Sequence, residues 1–139
     1  MTAFLPDDYV ADVGVRLALY KRFAGAIDEA MVDELAEELE DRFGPPPEDA
    51  ARFVRLMRLK TELRRLRVLG CEATAQQVKL HLREDTPLDP GKLRNLIVKG
   101  GGLWRATPDM RLVRLFKESG GDGLSRAEQM LEELAKLGV

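Results

Sequence analysis

Between Phe43 and Glu48 the chain reads Gly44-Pro45-Pro46-Pro47, and no regular element can run through it. A proline has no amide proton to donate, and it pushes the residue before it out of the helical region. Gly44 stands where a helix C-terminus needs a residue tolerant of unusual backbone angles, and Pro45 then blocks continuation. Pro47 suits the first turn of a new helix, with Glu48 and Asp49 close to its positive end. The run therefore predicts a stiff corner between two helices, with Gly44, Pro45 and Pro47 as its structural residues.

The two helices differ in charge. The first is predicted from Asp28, a side chain able to accept from the free amides of the first turn, with Ile27 and Val32 spaced as a hydrophobic staple. Its apolar stripe is Ile27, Met31, Leu35, Leu39 and Phe43, widened by Val32 and Ala36. The other face carries Glu29, Asp33, Glu34, Glu37, Glu38, Glu40 and Asp41, with no cation before Arg42. The second helix is predicted from about Pro47 to Val68, on a stripe of Phe53, Leu56, Leu59, Leu63 and Leu66. Around that stripe lie Arg52, Arg55, Arg58, Lys60, Arg64, Arg65 and Arg67.

Upstream, Val13, Leu17, Tyr20 and Ala24 recur at helical spacing from about Val10 until Gly25, and residues 1–9, with Pro6 and Asp7-Asp8, read as a linker or docking strand leading in. Downstream of Gly70 the pattern changes. Apolar and polar residues alternate from Gln77 to Leu82, which predicts a half-buried strand. Lys92 to Lys99 fits a short helix with Leu93, Leu96 and Ile97 inward. Leu103 to Ala106 and Arg111 to Phe116 fit a hairpin around Pro108 and Asp109, and Ser125 with Glu128 has capping-box spacing for a last helix with Met130, Leu131, Leu134 and Leu137 inward. The predicted class is α/β, more narrowly α+β: N-terminal helices, then a small antiparallel sheet and a C-terminal helix. The helical part covers about 10–69 and the mixed part about 71–139. The strand order stays open.

At 139 residues and 45% hydrophobic content, the chain has enough apolar material for a core, and one folded unit is expected. A net charge of −2 gives the whole no bias toward nucleic acid or membrane, so electrostatic function must come from local patches. With one cysteine, Cys71, and one histidine, His81, neither an internal disulfide nor a metal-ligand set is expected. Cys71 reads as a small packing residue, His81 as a strand residue without a catalytic role, and Trp104 as core. No phosphate loop, nucleophile elbow or dinucleotide fingerprint occurs, so neither a cofactor nor catalysis is expected. The opening residues lack a signal-peptide pattern and no apolar run reaches membrane length, from which a cytoplasmic protein is expected.

Three segments carry a resemblance. Leu5-Pro6-Asp7-Asp8-Tyr9-Val10, then Arg16-Leu17-Ala18-Leu19-Tyr20-Lys21-Arg22, then Glu38-Leu39-Glu40-Asp41-Arg42-Phe43-Gly44-Pro45-Pro46-Pro47 resemble, in order and spacing, the C-terminal domain of bacterial transcription-repair coupling factors. Such proteins are ATP-driven DNA translocases that displace stalled RNA polymerase and recruit the excision-repair damage sensor, UvrA. Motor, polymerase-binding and UvrA-binding modules all lie N-terminal to this domain, so the resemblance implies a chain without ATPase activity. It implies a non-catalytic clamp that packs on the N-terminal UvrA-binding module, masks it and restrains the motor. The contact uses acidic residues of the helix before the Arg-Phe-Gly turn. Glu38 and Asp41 match those positions, with Glu34 and Glu37 as neighbours.

The bland alternative for these carboxylates is a solvated face or a partner for the basic helix. The alternative function is an accessory nucleic-acid-binding domain using the arginines of residues 52–67, against which stand the adjacent acidic helix and the lack of interleaved aromatics. Direct docking of UvrA or RNA polymerase is a third reading.

Overall fold

The computed structural model describes residues 3–138. Its elements in chain order are α1 (Val13–Ala24), α2 (Glu29–Phe43), α3 (Glu48–Arg65), β1 (Val68–Ala73), β2 (Gln77–Leu82), α4 (Pro90–Lys99), β3 (Trp104–Ala106), β4 (Arg111–Leu115) and α5 (Gly123–Ala135). The α+β class is as expected. The chain divides into two compact units between Glu62 and Leu63.

The first unit is built on helices with side-chain caps. Asp12 accepts from the amide of Val15, and Asp28 from that of Met31, each at 2.9 Å. Gly44 ends α2 at φ +86°, with its amide on the Glu40 carbonyl at 2.8 Å. The Pro47 carbonyl accepts the first bond of α3, from Ala51 at 2.9 Å, so Pro47 is the residue just before the helix. The core joins Leu19 and Phe23 of α1, Val32, Leu35 and Leu39 of α2, and Ala50, Phe53 and Met57 of α3. The Phe53 ring sits edge-on to Tyr20 and Phe23, each at 5.2 Å between centroids.

Two expectations fail here. Val13 and Leu17 are outward, 59% and 57% exposed, because α1 turns Leu19 and Phe23 into the core instead. The staple does not form either: Val32 is fully buried but Ile27 is 74% exposed. The lead-in, over its described part, packs on the helices. Leu5 and Val10 are core residues, the Leu5 amide donates to the Tyr20 hydroxyl at 2.8 Å, and the Tyr9 hydroxyl donates to the Gly44 carbonyl at 2.7 Å. Burial, and then the nearby Glu40 charge, push the Tyr9 phenol above its ordinary pKa.

The second unit holds one antiparallel sheet in the order β1-β2-β4-β3. β1 lies where the sequence pattern continues a helix to Val68. The α3 helix stops at Arg65, Arg67 takes φ +57°, and β1 pairs with β2 across an irregularity between Val68 and Gly70. Leu66 is buried in this unit and its carbonyl accepts from the Thr86 hydroxyl at 2.7 Å. β2 alternates as expected, with Val78, Leu80 and Leu82 buried. α5 packs on β1 and β2; it is capped by Asp122, not Ser125, and Asp122 accepts the Ser125 amide at 2.8 Å. Trp104 is buried, as expected, beneath the Arg114 guanidinium. Cys71 is half-buried, and burial followed by the Glu72 charge pushes its thiol pKa up. Among the described residues no group of His, Cys, Asp and Glu could hold a metal, and no helix is long and apolar enough to cross a membrane.

Candidate functional site

The acidic face of α2 is one row in sequence but two in space. Glu34, Glu38 and Asp41 follow each other at helical spacings of four and three, on the side where α1 supplies Arg22. Glu38 is held there: Arg22 donates to its two carboxylate oxygens at 2.5 and 2.8 Å, and Arg42 adds a contact at 3.2 Å. The hydrogen bond from Arg22, supported by Arg42, pulls the Glu38 pKa down to about 2. Glu38 thus already has two cationic partners within the unit, in an exposed ion pair between α1 and α2.

Glu37 lies on the adjoining side with Asp33 and Glu40. These three line a groove of about 440 Å³ together with Ala36, Leu39, Pro46, Ala51 and Val54. Asp33 is engaged by Arg58 of α3 at 3.1 Å, and Arg58 also approaches Glu29 at 3.7 Å. Glu34, Glu37, Glu40 and Asp41 have no ion-pair partner among the described residues, and all four are exposed. The Gly44-to-Pro47 corner directs this face by fixing where α2 ends and α3 begins, and Tyr9 pins it through Gly44 while its ring packs 5.9 Å from that of Phe43.

Of the residues singled out in sequence, Glu34, Glu37 and Asp41 are therefore available to a partner, whereas Glu38 already has one inside the unit. Arg22 was the missed participant; no local pattern links it to a residue sixteen positions away. Glu40, on the same acidic face, lines the groove and belongs to the uncommitted set. The arginines of residues 52–67 are largely occupied: Arg52 pairs with Glu48 at 2.8 Å, Arg58 with α2, and Arg55, Arg64 and Arg65 also have interaction partners. His81 lies on β2 opposite Arg111 and Gly70, with no cluster of ligands around it.

A family described as the TRCF domain matches residues 1–93. The chain belongs to the TRCF domain family. The match covers the helical unit and continues through β1 and β2 into α4. The chain is 38% identical over 137 residues to a transcription-repair-coupling factor of Myxococcus xanthus, covering 97% of this chain and 11% of that protein. It is 37% identical over 103 residues to the one of Haemophilus influenzae, covering 74% of the chain and 9% of the relative. With the one of Escherichia coli it shares 32% over 112 residues, covering 81% and 10%. The chain thus spans about a tenth of the length of the curated relatives it matches. Its fold resembles a solved C-terminal domain of a transcription-repair coupling factor, with a TM-score of 0.74 at 23% identity over 98% of this chain and 90% of that one. The resemblance carried by the three segments is borne out.

Proposed function

We propose that this chain is a non-catalytic regulatory C-terminal domain of a transcription-repair coupling factor, acting in transcription-coupled nucleotide excision repair. In this reading it makes a reversible contact with the N-terminal UvrA-binding module of its own parent, masks that module and restrains the translocase. The observation that carries the reading is the exposed, uncommitted carboxylates on α2, Glu34, Glu37 and Asp41 among them, presented by a helix anchored through buried Val32, Leu35 and Leu39 and ended by the Gly44 corner.

The physics suits a clamp that must open. An exposed ion pair contributes only about 0.2–1 kcal/mol and weakens with salt. Several together, in a contact within one polypeptide, hold well because the effective concentration is high, and they release without exposing a large apolar surface. Glu38 enters as a positioning residue for the face.

The test is affinity of the whole chain for the separately expressed N-terminal module, read by fluorescence anisotropy. The triple variant Glu34→Lys, Glu37→Lys, Asp41→Lys is expected to lose the contact with an unchanged thermal midpoint. Wild-type affinity in a folded triple variant would remove α2 from the interface.

A further inference from the structure

We propose that the groove between α2 and α3 docks a polypeptide segment that carries arginines along one edge and apolar side chains along the other. The site shares Glu37 with the contact proposed above but does not rest on it, because Glu40, Ala51 and Val54 have no part in that contact. It lies wholly within the first unit.

The two walls of the groove are unlike. On the α2 side stand Asp33, Glu37 and Glu40, which follow each other at spacings of four and three and so share one side of the helix. From Asp33 to Glu40 the row runs about 10 Å along the axis, at ~1.5 Å per residue. On the α3 side stand Ala51 and Val54, both half-buried, with Pro46 at the corner end. Half-buried Ala36 and Leu39, 1% exposed, form the floor. Alanine at 36 and 51 keeps the seam open, since a methyl group fills little of the space between two helices whose axes lie about 8–10 Å apart. The resulting volume of about 440 Å³ is room for several side chains.

Charge selects the occupant. No Lys, Arg or His lines the groove. Arg52, beside Ala51 in sequence, pairs with Glu48 of its own helix at 2.8 Å. Arg58 shows the fitting chemistry at one end of the row: its guanidinium crosses from α3 to Asp33 at 3.1 Å. Glu37 and Glu40, further along, are exposed and have no such counterpart among the described residues. The uncompensated charge on the lining is therefore all negative. An acidic segment is repelled, and a purely apolar one desolvates two carboxylates without pairing them, which is costly.

A row of carboxylates alone marks only a solvated face, and the apolar strip beside this one is what makes it a docking surface. A cation on a long aliphatic stem satisfies both, with the stem laid over Ala36, Leu39 and Val54 and the head at Glu37 and Glu40. Arginine suits better than lysine, because its planar guanidinium meets carboxylate oxygens two at a time. Apolar neighbours of that arginine then cover Ala51 and Pro46.

The experiment follows the methyl resonances of Ala36, Leu39, Ala51 and Val54 in the whole chain during titration with three synthetic peptides of equal length. The first alternates Arg and Leu, the second has Glu for every Arg, and the third has Gln for every Leu. The first is expected to shift these methyls with an affinity that falls as salt rises, the second to leave them unmoved, and the third to bind several-fold more weakly than the first. Ala51→Leu, which fills the groove without changing its charge, and Glu40→Lys, at an exposed site, are expected to keep the fold and weaken the first peptide roughly fivefold or more. The titration needs no N-terminal module, so a failure of module binding bears on the clamp and a failure of peptide binding on the groove. Equal binding of the Arg and Glu peptides, a third peptide as tight as the first, shifts lying elsewhere, no shifts at all, or wild-type binding by the folded variants would each overturn the proposal. So would concentration-dependent shifts of the same methyls without peptide, which would assign the groove to a second copy of the chain.

Discussion

Arg22 of α1 grips both carboxylate oxygens of Glu38 of α2, at 2.5 and 2.8 Å, and so joins two helices across sixteen residues of sequence. With its folded pKa lowered from the ordinary 4.5 to about 2, Glu38 binds its proton more weakly in the folded chain than in the unfolded one. The pair therefore contributes stability that is fully present above about pH 4.5 and is lost as pH falls toward 2. A carboxyl NMR titration should place the Glu38 midpoint near 2, and Arg22→Gln should move it back toward 4.5. A midpoint unmoved by Arg22→Gln would refute the pairing.

Gly44 makes a backbone prediction. A Cβ there would meet no atom within 4 Å, so any cost of Gly44→Ala arises from φ +86° and ψ −175° alone. That region is essentially reserved for glycine, and the substitution should cost about 1–3 kcal/mol in urea unfolding. Because the corner directs α2, the same variant should weaken the proposed clamp.

Arg114 is buried on β4, with its guanidinium over the Phe116 ring at 4.4 Å and paired with both oxygens of Glu133 of α5, at 3.0 and 3.1 Å. Glu133→Ala leaves that cation buried and unpaired, which should cost about 3 kcal/mol. Arg114→Met removes the charge and keeps the bulk, and should cost less. The reverse order in denaturant unfolding would show that packing, and not pairing, dominates.

Which face of α1 is inward is equally testable. Leu19→Ala should cost about 2–5 kcal/mol, because Leu19 is 1% exposed. Leu17→Ala, at a site 57% exposed, should stay within about 0.5 kcal/mol.

That contrast also shows where sequence reading runs out. α1 carries two apolar stripes, Val13-Leu17-Tyr20-Ala24 and the one centred on Leu19 and Phe23, and periodicity alone does not say which one the rest of the chain covers. The spacing of Ile27 from Val32 suits a staple, yet Ile27 is 74% exposed while Val32 is buried, a difference that spacing alone does not contain. β1 was invisible because its edge position leaves Leu69 and Gly70 exposed, so it shows no clean alternation after a long helical pattern. Features fixed by local chemistry were legible: the Asp28 cap, the Gly44 corner, the alternation of β2 and the Pro108 turn. The acidic face was legible as composition. The commitment of Glu38 to Arg22 was not, since it depends on how two helices cross.

The central claim is that the α2 carboxylates make a releasable contact with the parent's N-terminal module. The most direct measurement is calorimetry of this chain with that module at low and moderate salt, run both as separate proteins and joined by a flexible linker that restores the effective concentration. The account predicts binding that weakens as salt rises and disappears in the Glu34→Lys, Glu37→Lys, Asp41→Lys variant. Salt-independent binding, or no association even in the linked form, would contradict it.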